Sequence, residues 1–128
     1  MKNVAPVVAL ILGAFSIVAY AAFWLAVLPA HAGEPACGRA SWYGPGFHGK
    51  PTASGETYNQ NALTVAHKTL PFGVRLRVTS QKTGKSVIVR VNDRGPFIAG
   101  RFLDLSKAAA AKLGMLSAGV ATVCVERL

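Results

Sequence analysis

One segment in the middle of the chain alternates between apolar and polar residues with a period of two, and a mostly apolar segment follows it. They span 74–79 and 86–91 and read VRLRVT and SVIVRV. Such alternation is typical of β-strands that bury one face against a core. Thr83 and Gly84 lie in the short stretch between the two segments and favour a turn. The two segments are therefore predicted to form a β-hairpin.

Shorter apolar or β-branched segments on both sides of this hairpin predict further strands, at 39–43, 63–66, 102–105 and 119–126. One short helix is predicted at 106–113, because alanines favour it, Ser106 or Asp104 can cap its start and Gly114 can end it. Six short strands and one short helix indicate a mainly β fold, a small closed barrel without open sheet edges. The stretch 44–58 is rich in Gly and Pro and is predicted to be a long loop, of a kind that is often functional.

The first 32 residues differ from the rest of the chain. Lys2 is the only Lys, Arg, Asp or Glu among them, and an apolar run follows at 4–28. The last three residues, AHA, fit the small-x-small pattern that precedes a signal-peptidase cut. Because the run is long enough to span a bilayer, an uncut membrane anchor is the alternative to a signal peptide. Either interpretation exports the remainder to the periplasm or cell envelope, with a linker at 33–40 and one barrel domain at 41–128.

The chain has two cysteines, Cys37 and Cys124, near the two ends of the predicted domain. In an oxidising compartment such a pair favours a disulfide bond. The alternative is a lipidated amino terminus at Cys37, which requires an apolar run directly before the cysteine. Glu34 and Pro35 interrupt that position, so we expect the disulfide.

The composition is strongly basic, with 14 Lys and Arg against 5 Asp and Glu and a net charge of +9. A surface of this kind attracts polyanions, although it can also serve solubility alone. Outside the cytoplasm the available polyanions are wall polymers and lipid head groups. We therefore expect no nucleic-acid partner.

Several classes of site are not supported by the sequence. The three histidines, His31, His48 and His67, are scattered and have no neighbouring cysteines or acids in a metal-ligand spacing. No glycine-rich phosphate loop joins a strand to a helix, and no nucleophile elbow is present. We expect neither a metal nor another cofactor.

Carboxylate chemistry remains, and three acids lie within the predicted domain away from its ends. Glu56 follows the Gly-rich loop, and Asp93 ends the second hairpin strand beside Gly95. Glu56 could equally be an exposed loop charge, and Asp93 could equally stabilise its own turn. For Asp104 a structural role is favoured, either as a helix cap or as a partner of Arg101.

Aromatic residues flank the long loop. Trp42, Tyr43 and Phe47 could stack on sugars, because ring faces match the apolar faces of pyranoses. For Trp42 a place in the core is slightly favoured. His67 ends a short apolar strand, where a histidine more often makes structural hydrogen bonds than catalyses.

Six motifs along the chain together resemble the rare lipoprotein A family of bacteria, which has a double-psi β-barrel fold. They are ASWYG at 40–44, FHG at 47–49, TASGE at 52–56, AHKTLPFG at 66–73, VNDRGPF at 91–97 and DLSKAA at 104–109. Each motif alone is weak, but their number and order make the resemblance specific.

The resemblance implies an endolytic lytic transglycosylase that cleaves the MurNAc–GlcNAc linkage of peptidoglycan and leaves 1,6-anhydro-muramic ends, preferably on peptide-stripped glycan. It places the key acid at Asp93, with Glu56 and His67 in support. We further expect Arg94 to bind substrate with Trp42, Tyr43 and Phe47. The partner is expected to be the glycan strand and the protein a monomer, which meets a membrane only if the amino-terminal segment is uncut.

A non-catalytic barrel is the main alternative, a wall-binding or wall-loosening module similar to expansins. Retention of all three polar positions, Glu56, His67 and Asp93, favours the enzyme, whereas the small size of the domain favours a binding module. An exported inhibitor or effector that acts on another organism's wall is a third interpretation.

Overall fold

The computed structural model describes residues 35–128, which form six strands and one helix. In chain order the elements are β1 (Ala36–Trp42), β2 (Thr64–His67), β3 (Arg75–Ser80), β4 (Ser86–Asp93), β5 (Arg101–Leu105), α1 (Lys107–Leu113) and β6 (Val120–Arg127). The predicted signal peptide or membrane anchor at 1–32 lies outside the described residues. Within 35–128, no helix has the length and apolar character needed to cross a membrane.

The six strands close into a barrel in the order β1-β5-β2-β4-β3-β6. Strand β1 pairs in parallel with β5, and β2 in parallel with β4, whereas the other four pairings are antiparallel. The prediction of a mainly β, six-stranded barrel with one short helix is thus confirmed. Each parallel pair includes a strand that ends next to the candidate site, β1 at Trp42 and β4 at Asp93.

The predicted hairpin is formed by β3 and β4. Leu76 faces Val89 and Val78 faces Val87 across the pair, and all four side chains are buried in the barrel. Between them, Arg77 of β3 is exposed and Ile88 of β4 is only partly buried, as expected for side chains on the outer face of the strands. Strand β4 continues to Asp93, two residues beyond its predicted end at 91.

The core is small and aliphatic. Its fully buried large side chains come from all strands except β1, and from the helix: Val65, Leu76, Val78, Val89, Val91, Leu103, Leu105, Leu113 and Val123. Helix α1 contributes Ala109, Ala110 and Leu113. Branched aliphatic residues of this kind fill a barrel of six short strands without an internal channel.

Helix α1 begins at a cap supplied by Ser106. Its hydroxyl accepts a hydrogen bond from the amide of Ala109, and Gly114, with φ of 73°, ends the helix in the left-handed conformation. The alternative cap, Asp104, lies inside β5 instead. Asp104 therefore does not cap the helix, whereas the charge of Arg101, its other predicted partner, does lower the pKa of its carboxyl group.

A disulfide bond between Cys37 and Cys124 joins β1 to β6, where the two residues face each other in the strand register. This pairing confirms the predicted disulfide. Strand β1 starts at Ala36, three residues before the predicted strand at 39–43, so residues 36–38, which were expected to belong to the linker, are part of the barrel. The shift has a physical reason: the antiparallel pairing with β6 runs from Ala36 to Ser41 and stabilises this segment as a strand.

Candidate functional site

An irregularity at the end of β4 directs Asp93 toward the barrel mouth. Val65 of β2 faces Val91, but the next residue, Ala66, faces Asp93, so Asn92 is an extra residue in the ladder. Val91 and Asn92 are both buried, whereas Asp93 is only partly buried. Bulges of this kind redirect the following side chain and are frequent beside active sites.

Three donors hold the Asp93 carboxylate in place. The Tyr43 hydroxyl donates to Oδ2 at 2.5 Å, and the amides of Ala53 and Arg94 donate to Oδ1, each at 2.9 Å. Tyr43 and Ala53 belong to β1's following loop, which is 40–50 positions away in the sequence. Asp93 is therefore fixed by tertiary contacts, and stabilising its own turn is not its sole role.

Tyr43 is itself fixed by aromatic neighbours. Its ring centroid lies 4.5 Å from that of Tyr58 and 5.8 Å from that of Phe47. Burial, followed by the hydrogen bond to Asp93, raises the pKa of Tyr43 well above its ordinary range. The phenol consequently stays protonated at physiological pH and remains a hydrogen-bond donor to the carboxylate.

Glu56 is the second acid that the resemblance singled out. Its two carboxylate oxygens accept hydrogen bonds of 2.7 and 2.6 Å from the two terminal nitrogens of Arg90. These bonds lower the pKa of Glu56, outweighing the small effect of burial. Glu56 therefore carries a fixed negative charge, and its loop is attached to the end of β4 by the Ser54 amide, which donates to the Asn92 carbonyl at 3.3 Å.

His67 ends β2 beside this region. Its Nδ1 accepts hydrogen bonds from the amides of Thr69 at 3.1 Å and Leu70 at 3.0 Å. Burial, together with the charges of Arg94 and Lys68, lowers the pKa of His67. The ring is therefore neutral at pH 7 and, because Nδ1 is an acceptor, its proton is on Nε2. Its hydrogen bonds go to the adjoining turn rather than to Asp93 or Glu56.

Arg94 connects His67 to an exposed aromatic ring. One terminal nitrogen donates to the carbonyls of Leu70 at 2.8 Å and His67 at 3.3 Å, and the guanidinium lies 4.0 Å from the centroid of Phe72. The side chain thus holds the 68–73 turn against the end of β4. Part of the guanidinium already has protein partners, and the predicted contact of Arg94 with substrate stays a prediction.

The predicted sugar-stacking residues lie at the end of β1 and in the long loop that follows it. Trp42 is half-buried and packs against the core, while it also lines a cavity of about 280 Å³ with Tyr43, Gly44, Pro45, Gln60 and Lys107. Phe47 is half exposed, and the Lys50 ammonium lies 5.6 Å from its ring centroid. Aromatic and cationic groups therefore lie together next to Tyr43 and Asp93.

Asp104 is the residue that the sequence interpretation missed. In the strand register Ala66 faces Asp104 on one side and Asp93 on the other, so the two acids flank one alanine. The Ser41 hydroxyl donates to Oδ1 of Asp104 at 3.3 Å. Burial raises the pKa of Asp104 to about 6, with a smaller upward contribution from the charge of Asp93 and opposition from Ser41 and Arg101. The available signal was Ser106, which already supplies a helix cap and makes a second one unnecessary.

The site around the end of β4 thus includes three carboxyl groups, those of Asp93, Asp104 and Glu56, together with a neutral histidine and several aromatic rings. Within the part of the chain that the structure describes, no group of three or more His, Cys, Asp or Glu side chains is arranged to hold a metal ion. The chemistry available from these residues is proton transfer by carboxyl groups and hydrogen bonding from Tyr43 and His67.

Comparisons with known proteins identify the family of the chain. A relative from Synechocystis, "Probable endolytic peptidoglycan transglycosylase RlpA", is 61% identical over 89 residues, which cover 70% of this chain and 28% of the relative. A second, "Endolytic peptidoglycan transglycosylase RlpA" of Campylobacter jejuni, is 61% identical over 94 residues, which cover 73% of this chain and 34% of the relative. The chain therefore spans about a third of the length of these curated relatives.

A solved structure shares the fold. The expansin of Clavibacter michiganensis superposes with a TM-score of 0.59 at 25% identity, over 74% of this chain and 50% of the expansin chain. The family model described as "Lytic transglycolase" matches residues 35–125, nearly the whole of the described structure. These matches confirm the resemblance to rare lipoprotein A that the motifs indicated: the chain belongs to the lytic transglycolase family.

Proposed function

We propose that the barrel is an endolytic peptidoglycan transglycosylase that cleaves MurNAc–GlcNAc linkages and forms 1,6-anhydro-muramic ends. One observation carries the proposal: Asp93 is fixed at the barrel mouth by Tyr43, Ala53 and Arg94, next to exposed aromatic rings. The names of the relatives, which are about 60% identical over the domain, support the same activity.

In this mechanism Asp93 acts first as an acid and then as a base. Its protonated carboxyl gives a proton to the glycosidic oxygen, and the bond from that oxygen to the muramic C1 breaks. The resulting carboxylate accepts the proton of the C6 hydroxyl of the same muramic unit, whose oxygen bonds to C1. No water takes part, because Asp93 gives one proton to the glycosidic oxygen and takes one back from the C6 hydroxyl.

Glu56 and His67 support these transfers without exchanging the proton themselves. The negative charge of Glu56, held by Arg90, stabilises positive charge that develops on the sugar ring during bond cleavage. The Nε2–H of neutral His67 is a hydrogen-bond donor for a sugar oxygen. Both roles require rigid side chains, which the paired arginine and the turn amides provide.

Glycan strands without peptides are the substrate that the surface fits best. Removing the peptide exposes a lactyl carboxylate on each muramic unit, and the chain has a net charge of +9. Trp42, Tyr43, Phe47 and Arg94 would contact the sugars. The protein would then work in the periplasm or cell envelope, as a monomer bound to the strand.

The test is to incubate the purified protein with peptide-free glycan and identify new chain ends by mass spectrometry. The proposal predicts anhydro-muramic ends for the native protein and their loss in Asp93→Asn, with the circular dichroism spectrum unchanged. Glycan that stays intact with a folded native protein would overturn the enzymatic proposal. It would favour the alternative of a non-catalytic wall-binding barrel, which the shared fold with an expansin supports.

A further inference from the structure

The loop after β4 exposes an unusually large aromatic surface. Phe97 has 85% of its surface exposed, and the adjacent Ile98 has 54%. Phe72, in the turn after β2, is 42% exposed. Because an apolar ring gains nothing by facing water, a cluster of this kind usually marks a binding surface.

The ring of Phe97 has a defined position beside the catalytic acid. It lies over Gly95, since a Cβ placed on Gly95 would be 3.5 Å from Cε2 of Phe97. Gly95 is separated from Asp93 only by Arg94, whose amide donates to the Asp93 carboxylate. The exposed ring is thus attached to the same backbone segment that positions Asp93.

Phe72 reaches the same segment from β2. Its ring stacks on the guanidinium of Arg94, with 4.0 Å between the carbon of that group and the ring centroid. Arg94 in turn is fixed by the carbonyls of Leu70 and His67. Phe72 thus stacks on Arg94, and Phe97 follows Arg94 by three positions and packs over Gly95; these three residues are here called the Arg94 platform.

The Arg94 platform is separate from the aromatic group predicted from the sequence. The Tyr43 hydroxyl donates to Oδ2 of Asp93 and the Phe47 ring packs beside Tyr43, whereas the backbone amide of Arg94 donates to Oδ1. A substrate strand that places its scissile bond at Asp93 has sugar units on both sides of that bond. The two aromatic groups offer stacking surfaces for both sides.

We propose that the Arg94 platform is a second sugar-binding subsite, in which Phe97 stacks on a pyranose face and sets the minimum length of glycan that binds well. This inference deepens the proposed function and rests on it for the identity of the ligand. Flat apolar rings and a guanidinium suit the apolar face of a pyranose and a lactyl carboxylate respectively. The chain's excess of positive charge agrees with an anionic glycan as occupant.

The test measures glycan binding separately from cleavage. Binding is measured by calorimetry in the Asp93→Asn background, with peptide-free glycan fragments of two lengths, alone and combined with Phe97→Ala, Phe97→Leu or Phe97→Trp. Phe97→Ala and Phe97→Leu are expected to weaken binding of the longer fragment by about fivefold to tenfold, as for the loss of one aromatic stacking contact. Phe97→Trp retains a ring and should keep the affinity.

Two further comparisons make the result specific. Binding of a fragment too short to reach both aromatic groups should not change in Phe97→Ala. Leu128→Ala is the matched control, because Leu128 is also an exposed large hydrophobic residue, at 52%, but lies at the end of the chain. It should leave both affinities unchanged.

Equal affinity of Phe97→Ala and its parent for the longer fragment would overturn the inference, even if the native protein produces anhydro ends. Conversely, length-dependent loss of binding in a protein that does not cleave would support the subsite and leave only the enzymatic proposal refuted. Failure of the parent to bind either fragment would overturn the inference, and the proposed function as well if the native protein also forms no anhydro ends.

Discussion

The hydroxyl of Tyr43 lies 2.5 Å from Oδ2 of Asp93 and donates a hydrogen bond to it. The two residues are 50 positions apart in the sequence, at the ends of β1 and β4. Because the pKa of Tyr43 is raised by burial and by Asp93, the phenol cannot easily lose its proton. The pair is therefore a fixed arrangement in which Tyr43 orients the carboxylate that would transfer the proton.

Tyr43→Phe removes this donor while it keeps the ring that stacks on Tyr58. We expect kcat to fall by roughly tenfold to a hundredfold, since a misplaced catalytic group costs rates of that order. The KM for peptide-free glycan should change little. Initial rates of anhydro-end formation provide the measurement, and an unchanged kcat would show that Tyr43 does not position Asp93.

Glu56→Gln removes a charge but keeps the size of the side chain. We expect a loss of about a hundredfold in kcat/KM, because the glutamate no longer stabilises a cationic sugar ring. The loss of stability should be under about 1 kcal/mol, since Glu56 and Arg90 form an ion pair that is about 40% exposed. Rates and urea unfolding curves measure the two effects.

The chain offers a matched control for this variant. Glu126 pairs with Arg77 at 3.3 Å with similar exposure, on the strands β6 and β3. Glu126→Gln should therefore alter stability by a similar small amount and leave kcat/KM unchanged. Equal loss of activity in both variants would attribute the effect of Glu56 to general surface charge.

His67 can be tested by separating its two nitrogens. In His67→Asn the side-chain oxygen can replace Nδ1 as acceptor for the amides of Thr69 and Leu70, but the Nε2–H donor is lost. We expect kcat/KM to fall by roughly tenfold or more, with little change in the melting temperature. His67→Ala should lose both activity and stability. If His67→Asn is fully active, the histidine only stabilises the turn.

The raised pKa of Asp104 predicts that the stability of the protein depends on pH. Its folded pKa is about 6, raised from 3.8, so the folded state holds this proton more tightly than the unfolded state. Its contribution to the free energy of unfolding is therefore complete below pH 4 and is lost as the pH rises to about 6. Because the residue is partly exposed, the expected loss is on the order of 1–2 kcal/mol.

The measurement compares the native protein with Asp104→Asn, which keeps an acceptor for Ser41 and removes the titration. Urea unfolding at pH 4, 5, 6 and 7 gives the difference in the free energy of unfolding. As the pH rises from 4 to 6, the native protein should lose stability relative to the variant. A difference that is constant across this range would mean that Asp104 titrates like an exposed aspartate.

Much of the fold could be predicted from the sequence because its signals are local. The alternation around Leu76 and Val89 gave the hairpin, and the alanines before Gly114 gave the helix. The early start of β1 could not be predicted, since it depends on antiparallel pairing with the distant strand β6, in which Ala36 faces Val125. Parallel pairings such as β2 with β4 likewise have no local signature.

In the candidate site, too, the residues marked by sequence motifs could be predicted, and those that depend on long-range contacts could not. Motif resemblance alone pointed to Asp93, Glu56 and His67 together, and the structure places them around the end of β4 and the loop attached to it. Asp104 was missed because its position next to Asp93 depends on Ala66 of a third strand. Phe97 gave no signal because solvent exposure is not visible in a sequence.

The central claim is that Asp93 completes a proton transfer within one sugar unit, without water. The most direct test is cleavage of peptide-free glycan in water enriched in ¹⁸O, followed by mass spectrometry of the new muramic ends. The claim predicts anhydro ends that contain no ¹⁸O. Reducing ends that have gained one ¹⁸O atom as they form, after correction for exchange with the solvent, would show hydrolysis and contradict it.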